Sequence, residues 1–460
     1  MTQKALELVA ARFPQYLEDL KTLVRIPSVS FSGYDAREVE RSAAATAELL
    51  RRRGFENVGV LRHGGAHPYV LGDWLHAKGQ PTALLYAHHD MQPPLRLERW
   101  QSPPFEPVER AGRLYGRGTA DDKAGILFHA AALDAWLAAT GACPLNLKVV
   151  IEGEEEIGSG HLEDFVASYA ERLRADVLVV TDLANFDTGL PSLTVSLRGM
   201  AALRVVARAT RAPLHSGMWS GPVPDPVMGL CKALAGLTDT EGRPALPGFE
   251  EGIVPLAARE IHDLKNLPVD EALFRQQTGM VPGARIVGGP GQLYEKIYRR
   301  PTLTLTSIEA GAGGIAGNVI MDEAQARVSL RLAPGMDARR ATRLLEERLR
   351  QLVPWGLEVD ISAEEGGEPW ITNTAHPAFA AARKALAAGY GREPVLVGCG
   401  GSIPFVSGLT RALSGIPALL LGVEDPYTLA HSENESLHLG DFKKSLHSAV
   451  LLFDELARAF

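Results

Sequence analysis

Hydrophobic residues follow two alternating patterns over the first 190 positions. Residues 82–87, 145–151 and 176–181 are short, nearly continuous apolar runs of strand length, rich in Val, Leu and Ala. Segments 38–53, 125–140 and 161–174 instead space apolar residues three and four apart and predict helices. Continuous apolar strands alternating with helices predict a doubly wound, mainly parallel sheet covered on both faces. Near residue 196 the pattern changes. Residues 200–209, 302–308, 324–332 and 357–363 tend to alternate polar with apolar, as antiparallel strands exposed on one face do. Helical stretches at 226–237 and 337–353 fall among them, the second with Leu345, Leu349 and Leu352 as its buried stripe. Residues 375–390 read as a helix again and 417–423 as an apolar strand that returns to the first domain. The fold class expected is α/β: a first domain built from 1–196 and 368–460, split by an inserted α+β, ferredoxin-like domain at 197–367. The Gly/Pro-rich stretch 240–301 would elaborate the insert.

Size supports two domains, because 460 residues exceed one ordinary core. The balance of 47 Lys plus Arg against 55 Asp plus Glu, with no basic run interleaved with aromatics, argues against nucleic acid as a partner. Cys143, Cys231 and Cys399 lie far apart and form no CxxC pair, which fits a reducing compartment and disfavours a thiolate metal site. The first twenty residues form an amphipathic helical pattern without the apolar segment of a signal peptide. No apolar run reaches the roughly 18 residues a membrane span needs. The expectation is a soluble, cytoplasmic protein with no membrane partner.

Chemistry concentrates where apolar runs end. His88-His89-Asp90 follows the first run, Glu154-Glu155-Glu156 the second and Asp182 the third. His431-Ser432-Glu433 follows the returning strand by one loop, and Asp121-Asp122 precedes the helix at 125. An open α/β sheet collects ligands at the carboxyl ends of its strands, so these residues can converge. Strand alternation puts His88 and Asp90 on one face, as a metal ligand and the carboxylate that orients its ring. His89 points the other way, to packing or solvent. Asp121 and Asp122 lie in a glycine-rich loop that lets backbone approach an ion, although a pair of acids there could equally cap the helix. Two dications about 3.5–4 Å apart repel by roughly 20 kcal/mol at an effective dielectric near 20, so a bridging carboxylate and a bridging hydroxide are needed between them. One further acid must stay uncoordinated to carry the proton.

The segments AHHDMQP, GRGTADDKAG, EGEEEIGS, Asp182 and AHSENE, in that order, resemble the successive metal motifs of the dinuclear zinc aminopeptidase-like hydrolases. That family includes acetylornithine deacetylase, succinyl-diaminopimelate desuccinylase, aminoacylase and carnosinase-like dipeptidases. The resemblance implies two divalent ions per subunit, zinc, manganese or cobalt, with His88, Asp121 and Asp182 on one and Asp121, Glu156 and His431 on the other. It also implies Asp121 as the bridge with a cis peptide to Asp122, Asp90 as the orienting carboxylate, and Glu155 as general base and acid for a metal-bridging hydroxide. The segments LHSG, SLRLAP, EPWITNTAHP and GGSIP are similar to the carnosinase-like dipeptidases. They imply that Asn318, Arg331, His376, Gly401 and Ser402 grip a small peptide substrate. They also imply that His215 reaches across a homodimer to the partner's site, and that the insert dimerises and closes over the substrate. Read from the residues alone, Arg331 could be a strand-edge charge, His215 and His376 loop histidines, and GGSIP a turn. Departures from the family pattern, Ala87, Met91, Ala124-Gly125 and Met321, touch no ligand; those around Asn318 and in MWSGPVPDP fall on the substrate side.

Two other classes fail. Residues 311–316 fit G-x-G-x-x-A, but the residues after them alternate like a strand instead of opening a helix, so no dinucleotide site is expected. A non-catalytic metal-binding protein would carry a broken site, and every ligand position and Glu155 are present. The activity expected is hydrolysis of the amide bond of dipeptides. N-acyl-amino-acid deacylation and glutamate-type carboxypeptidase action are the alternatives that the metal motifs do not separate.

Overall fold

The computed structural model describes residues 1–311, 317–364, 366–401 and 404–460. The chain divides into two compact units. One comprises Met1–Val195, Thr372–Val397 and Gly408–Phe460; the other comprises Ser196–Ile371 and Gly398–Ser407.

The first unit is built on the strands β1 (Glu56–Leu61), β2 (Tyr69–Trp74), β3 (Thr82–His88), β4 (Asn146–Glu152), β5 (Val177–Ala184), β6 (Ser192–Leu197) and β7 (Ala418–Glu424). They lie side by side in the order β1-β2-β4-β3-β5-β7-β6. The central pairs β4/β3, β3/β5 and β5/β7 are parallel, whereas β1/β2, β2/β4 and β7/β6 are antiparallel. The parallel strands are the continuous apolar runs of the sequence, and both of their faces are covered. Ala83, Leu85, Ala87, Val177 and Val179 join the main core cluster with helices Thr2–Ala11, Lys123–Thr140, Pro377–Tyr390 and Leu439–Ala459. The alternate residues Leu84, Tyr86, Leu178 and Val180 are also fully buried. The stretch 161–174 is two helices, Leu162–Ser168 and Ala170–Leu173. Tyr169 leaves the helical region between them (φ −114°, ψ 21°), with its ring 4.8 Å from that of Phe165. Gly422 is required where β7 slips against β5, since a Cβ there would lie 1.9 Å from the Leu183 carbonyl oxygen.

The second unit holds a four-stranded antiparallel sheet in the order Thr302–Ala310, Glu323–Leu332, Gly199–Arg208, Glu358–Ala363. Helices Pro226–Ala235 and Ala338–Leu352 join it in one core. Leu230, Leu234, Leu345 and Leu349 meet Leu203, Val205, Val328 and Leu330, while Leu352 is only partly buried. The chain order strand-helix-strand-strand-helix-strand with this sheet order is the ferredoxin-like arrangement that the alternating pattern predicts. Residues 312–316 lie outside the described ones; after them Val319–Ile320 and Glu323–Leu332 are strands, as required for rejecting a dinucleotide loop. No helix among the described residues is long and apolar enough to cross a membrane.

Candidate metal centre

His88 is the last residue of β3 and Asp182 lies in β5, the adjacent parallel strand. Asp121 sits two residues before helix Lys123–Thr140, Glu156 in the short turn Glu155–Ile157 just beyond β4, and His431 in the loop after β7. The sheet and these loops bring the five together. Among the described residues two groups of side chains could hold a metal: His88, Asp121 and Asp182, and Asp121, Glu156 and His431, with ligand atoms within 4.8 Å of one another.

The donor spacing is what a tetrahedral ion imposes. First-shell bonds of about 2 Å put neighbouring donors roughly 3.3 Å apart. His88 Nε2 is 3.1 Å from Asp121 Oδ1 and 3.5 Å from Asp182 Oδ1. His431 Nε2 is 3.0 Å from Asp121 Oδ2 and 3.3 Å from Glu156 Oε2. Asp121 thus offers one oxygen to each group. The Asp121–Asp122 peptide is cis.

Electrostatics point the same way. Burial alone would lower the His88 pKa, yet Asp182 and Asp121 raise it well above the ordinary imidazole value. Hydrogen bonds to Asp121 and Glu156 push His431 up to about 11. Burial and then Asp121 push Glu156 up to about 7. Burial would raise Asp121 too, but the bonds from His431 and His88 hold it below the usual carboxylate range. Acids this crowded hold protons on their neighbours, and a multivalent cation relieves the same excess of negative charge. Carboxylate oxygens and imidazole nitrogens without a thiolate suit zinc, manganese or cobalt.

The supporting residues separate the roles. Asp90, fully buried, faces His88 Nδ1 at 3.3 Å, accepts from Ser30 Oγ at 2.7 Å, and accepts the Glu155 and Glu156 backbone N–H groups. Glu155 belongs to neither metal group; burial and then the Asp182 charge raise its carboxyl well above the ordinary value. Glu154 points away, accepting from Tyr69 Oη and the His161 backbone N–H. Asp122 makes no side-chain cap bond to the helix after it. Its Oδ2 accepts the His88 N–H at 3.2 Å instead. His89 is fully buried against the Pro68 carbonyl, so it packs.

Four residues here escaped the sequence reading. Gln92 donates to both carboxylate oxygens of Glu156, at 3.0 Å from its backbone N–H and 2.8 Å from its side chain. Arg117 and Glu435 form a buried ion pair behind Asp121. Glu424, at the end of β7, has its carboxyl raised by burial and then by Asp121 and Asp182. Gln92, Arg117 and Glu435 lie inside the quoted motifs, but their polar type alone does not distinguish a supporting residue from a surface one.

Four of the expected substrate residues that are described belong to the second unit. His215 pairs with Val319 across a two-stranded ribbon, and the Asn318 carbonyl accepts the Ser216 N–H, so His215 and Asn318 are neighbours. His215 Nδ1 accepts from the Gly217 N–H, which leaves the ring proton of a neutral imidazole on Nε2. Arg331 lies in strand Glu323–Leu332, opposite Thr302 and Met200. Nearby Arg198 is pushed down to about 10, by burial and then by the Arg331 charge, and donates to the Gly400 carbonyl at 3.0 Å. The Arg331 charge also acts on Cys399, whose Sγ accepts the Gly401 N–H. Ser402 lies outside the described residues. His376 belongs to the first unit, where it caps helix Pro377–Tyr390 through Nδ1 and packs 5.5 Å from the Phe460 ring.

The cysteinylglycine-S-conjugate dipeptidase of Corynebacterium striatum is 33% identical over 360 residues, covering 78% of this chain and 77% of that protein. The fold superposes on dipeptidase Dug1p of Saccharomyces cerevisiae with a TM-score of 0.86 at 25% identity, covering 100% of this chain and 99% of that one. Human carnosine dipeptidase 1 superposes with a TM-score of 0.87 at 25% identity, covering 99% of each. Residues 84–455 match peptidase family M20/M25/M40, and the chain belongs to that family.

Proposed function

We propose that this chain is a two-metal dipeptidase. The observation that carries the proposal is the donor geometry around Asp121, whose two oxygens each face a separate imidazole at about the edge length of an ion's coordination shell. The relatives, named for dipeptidase activity, support the substrate class. His88, Asp121 and Asp182 would hold one ion, and Asp121, Glu156 and His431 the other. Bound there, the ions would polarise the amide carbonyl and acidify a water. Glu155 takes the proton of the attacking water and returns it to the leaving amine. Arg331 forks the peptide's terminal carboxylate, with Asn318, His376, Gly401 and Ser402 completing the grip. His215 donates Nε2–H to the developing oxyanion of the partner subunit's substrate, in a homodimer formed through the inserted domain, which also serves as a lid. Its three scattered cysteines suit a cytoplasmic setting.

The test is a panel of dipeptides, N-acetyl amino acids and N-succinyl amino acids, offered to protein stripped with chelator and reloaded with zinc, manganese or cobalt. Dipeptides should be hydrolysed only by the reloaded protein. Turnover confined to acylated amino acids would replace this reading with a deacylase. Ion uptake should also depend on pH with a definite sign. His431, raised to about 11, holds a proton in the ion-free site at neutral pH, and Glu156, raised to about 7, holds one increasingly as the pH falls below neutral. An ion must displace those protons, so affinity should fall about tenfold per pH unit of acidification for each proton displaced. Calorimetric zinc titrations in two buffers of different ionisation heat would count the protons; none released contradicts the ligand assignment.

A further inference from the structure

The two ligand groups are anchored by different means. His88 and Asp182 belong to neighbouring strands whose places are set by the β3/β5 ladder from Ala83–Val177 to Tyr86–Val180. His431 has no such support. It stands in a loop with positive φ at Leu429, His431 and Asn434, and its side chain is 58% exposed where that of His88 is fully buried.

Beneath that loop lies the Arg117–Glu435 pair, 1% and 0% exposed and 2.8 Å apart. Glu435 Oε1 accepts the backbone N–H groups of Ala120 and Asp121 at 3.1 and 3.3 Å, and Oε2 accepts that of Gly118 at 3.0 Å. Its own carbonyl accepts the Gly116 N–H. Arg117 in turn donates Nη2–H to the Ser432 carbonyl at 2.9 Å, next to His431, and to the Pro93 carbonyl at 3.2 Å. One ion pair therefore joins the backbone of Asp121 to the backbone beside His431, across more than three hundred residues of chain. Three backbone amides and a guanidinium saturate the Glu435 carboxylate, so it is committed to holding these loops and meets the ligand groups only at the Asp121 backbone N–H, not at a donor atom.

Resting on the two-metal reading above, we propose that Arg117 and Glu435 are positioning residues for one ion only. They set the affinity of the position formed by Asp121, Glu156 and His431 and leave the strand-anchored position with His88 and Asp182 nearly unchanged. Loss of an outer partner of a metal ligand costs about ten- to hundredfold in affinity. Here that cost falls mainly on one ion: Asp121 serves both groups, but His88 and Asp182 are held by their strands, whereas His431 depends on the loop that Arg117 fastens at the Ser432 carbonyl.

The experiment is zinc binding to chelator-stripped protein, followed by competition with a fluorescent indicator so that the two uptake steps are resolved. His431→Ala identifies the step belonging to the His431 position. Glu435→Gln, which keeps shape but removes the charge, should weaken that same step about ten- to hundredfold and leave the other within about twofold. The double variant Glu435→Gln/His431→Ala should bind no more weakly than His431→Ala alone. Melting curves check folding; if Glu435→Gln does not fold, Arg117→Lys replaces it, since lysine keeps the charge facing Glu435 but lacks the second arm that reaches Ser432. Equal weakening of both steps, or of neither, in folded protein overturns the inference. Wild-type protein that takes up fewer than two ions refutes the two-metal reading itself and this inference with it. Two wild-type ions with unselective loss in the variant overturn the inference alone.

Discussion

Glu155→Gln should bind both ions as the wild type does and turn over dipeptides roughly 10²–10⁴-fold more slowly. The side chain belongs to neither ligand group, so its amide leaves the donors intact. Its backbone is held independently, by Asp90 accepting the Glu155 N–H at 3.3 Å, so the turn that carries Glu156 should not move. What the substitution removes is the capacity to take a proton from water and deliver it to nitrogen. A carboxyl raised by burial and by the Asp182 charge is suited to that exchange, because it holds a proton more readily than an exposed glutamate. Steady-state turnover on the best dipeptide, with ion content measured on the same sample, separates the two effects. Near-normal turnover would remove Glu155 from the mechanism, and loss of an ion would make it a ligand.

Asp121→Asn should have the other large effect, leaving at most one ion bound and turnover at background. Asparagine fills the same volume but carries no charge, and it cannot offer an anionic oxygen to each side. Two dications about 3.5–4 Å apart repel by roughly 20 kcal/mol at an effective dielectric near 20, and the shared carboxylate is the charge placed between them. Asp182→Asn provides the comparison, since Asp182 serves one group alone and its loss should weaken a single ion. Ion content by elemental analysis after dialysis against a fixed free-zinc buffer decides the matter. Two ions retained in Asp121→Asn would show that the groups do not share this residue.

The core of the fold and the cluster of candidate donors were legible because both obey short-range rules. Strands 82–87, 145–151 and 176–181 announced themselves by continuous apolar runs that a buried parallel sheet requires, and the structure places them in β3, β4 and β5. The antiparallel strands β1, β2 and β6 were not singled out. Their residues, ENVGVL and YVLGDW among them, mix apolar with polar positions or carry glycine; β1 pairs with its chain neighbour β2, while β2 and β6 are placed by partners distant in sequence, β4 and β7. The break at Tyr169 carries no sequence marker either, since helical spacing runs through it and its ring still packs on Phe165 four residues earlier. In the site, the candidate ligands stood out because imidazoles and acids clustered at the ends of apolar runs are a small set, and the structure brings those side chains together. Gln92, Arg117, Glu424 and Glu435 did not stand out, because what they do depends on which backbone comes near them. Glu435 is one glutamate among many until the N–H groups of Gly118, Ala120 and Asp121 arrive at its oxygens.

The two-metal dipeptidase reading turns on two ions sharing Asp121. Anomalous diffraction at the zinc absorption edge, from crystals of zinc-loaded protein, reads it without reference to activity. Two peaks are expected, one bounded by His88, Asp121 and Asp182 and the other by Asp121, Glu156 and His431, with an oxygen of Asp121 within bonding distance, about 2 Å, of each. A single peak, or a pair in which Asp121 reaches only one, contradicts it.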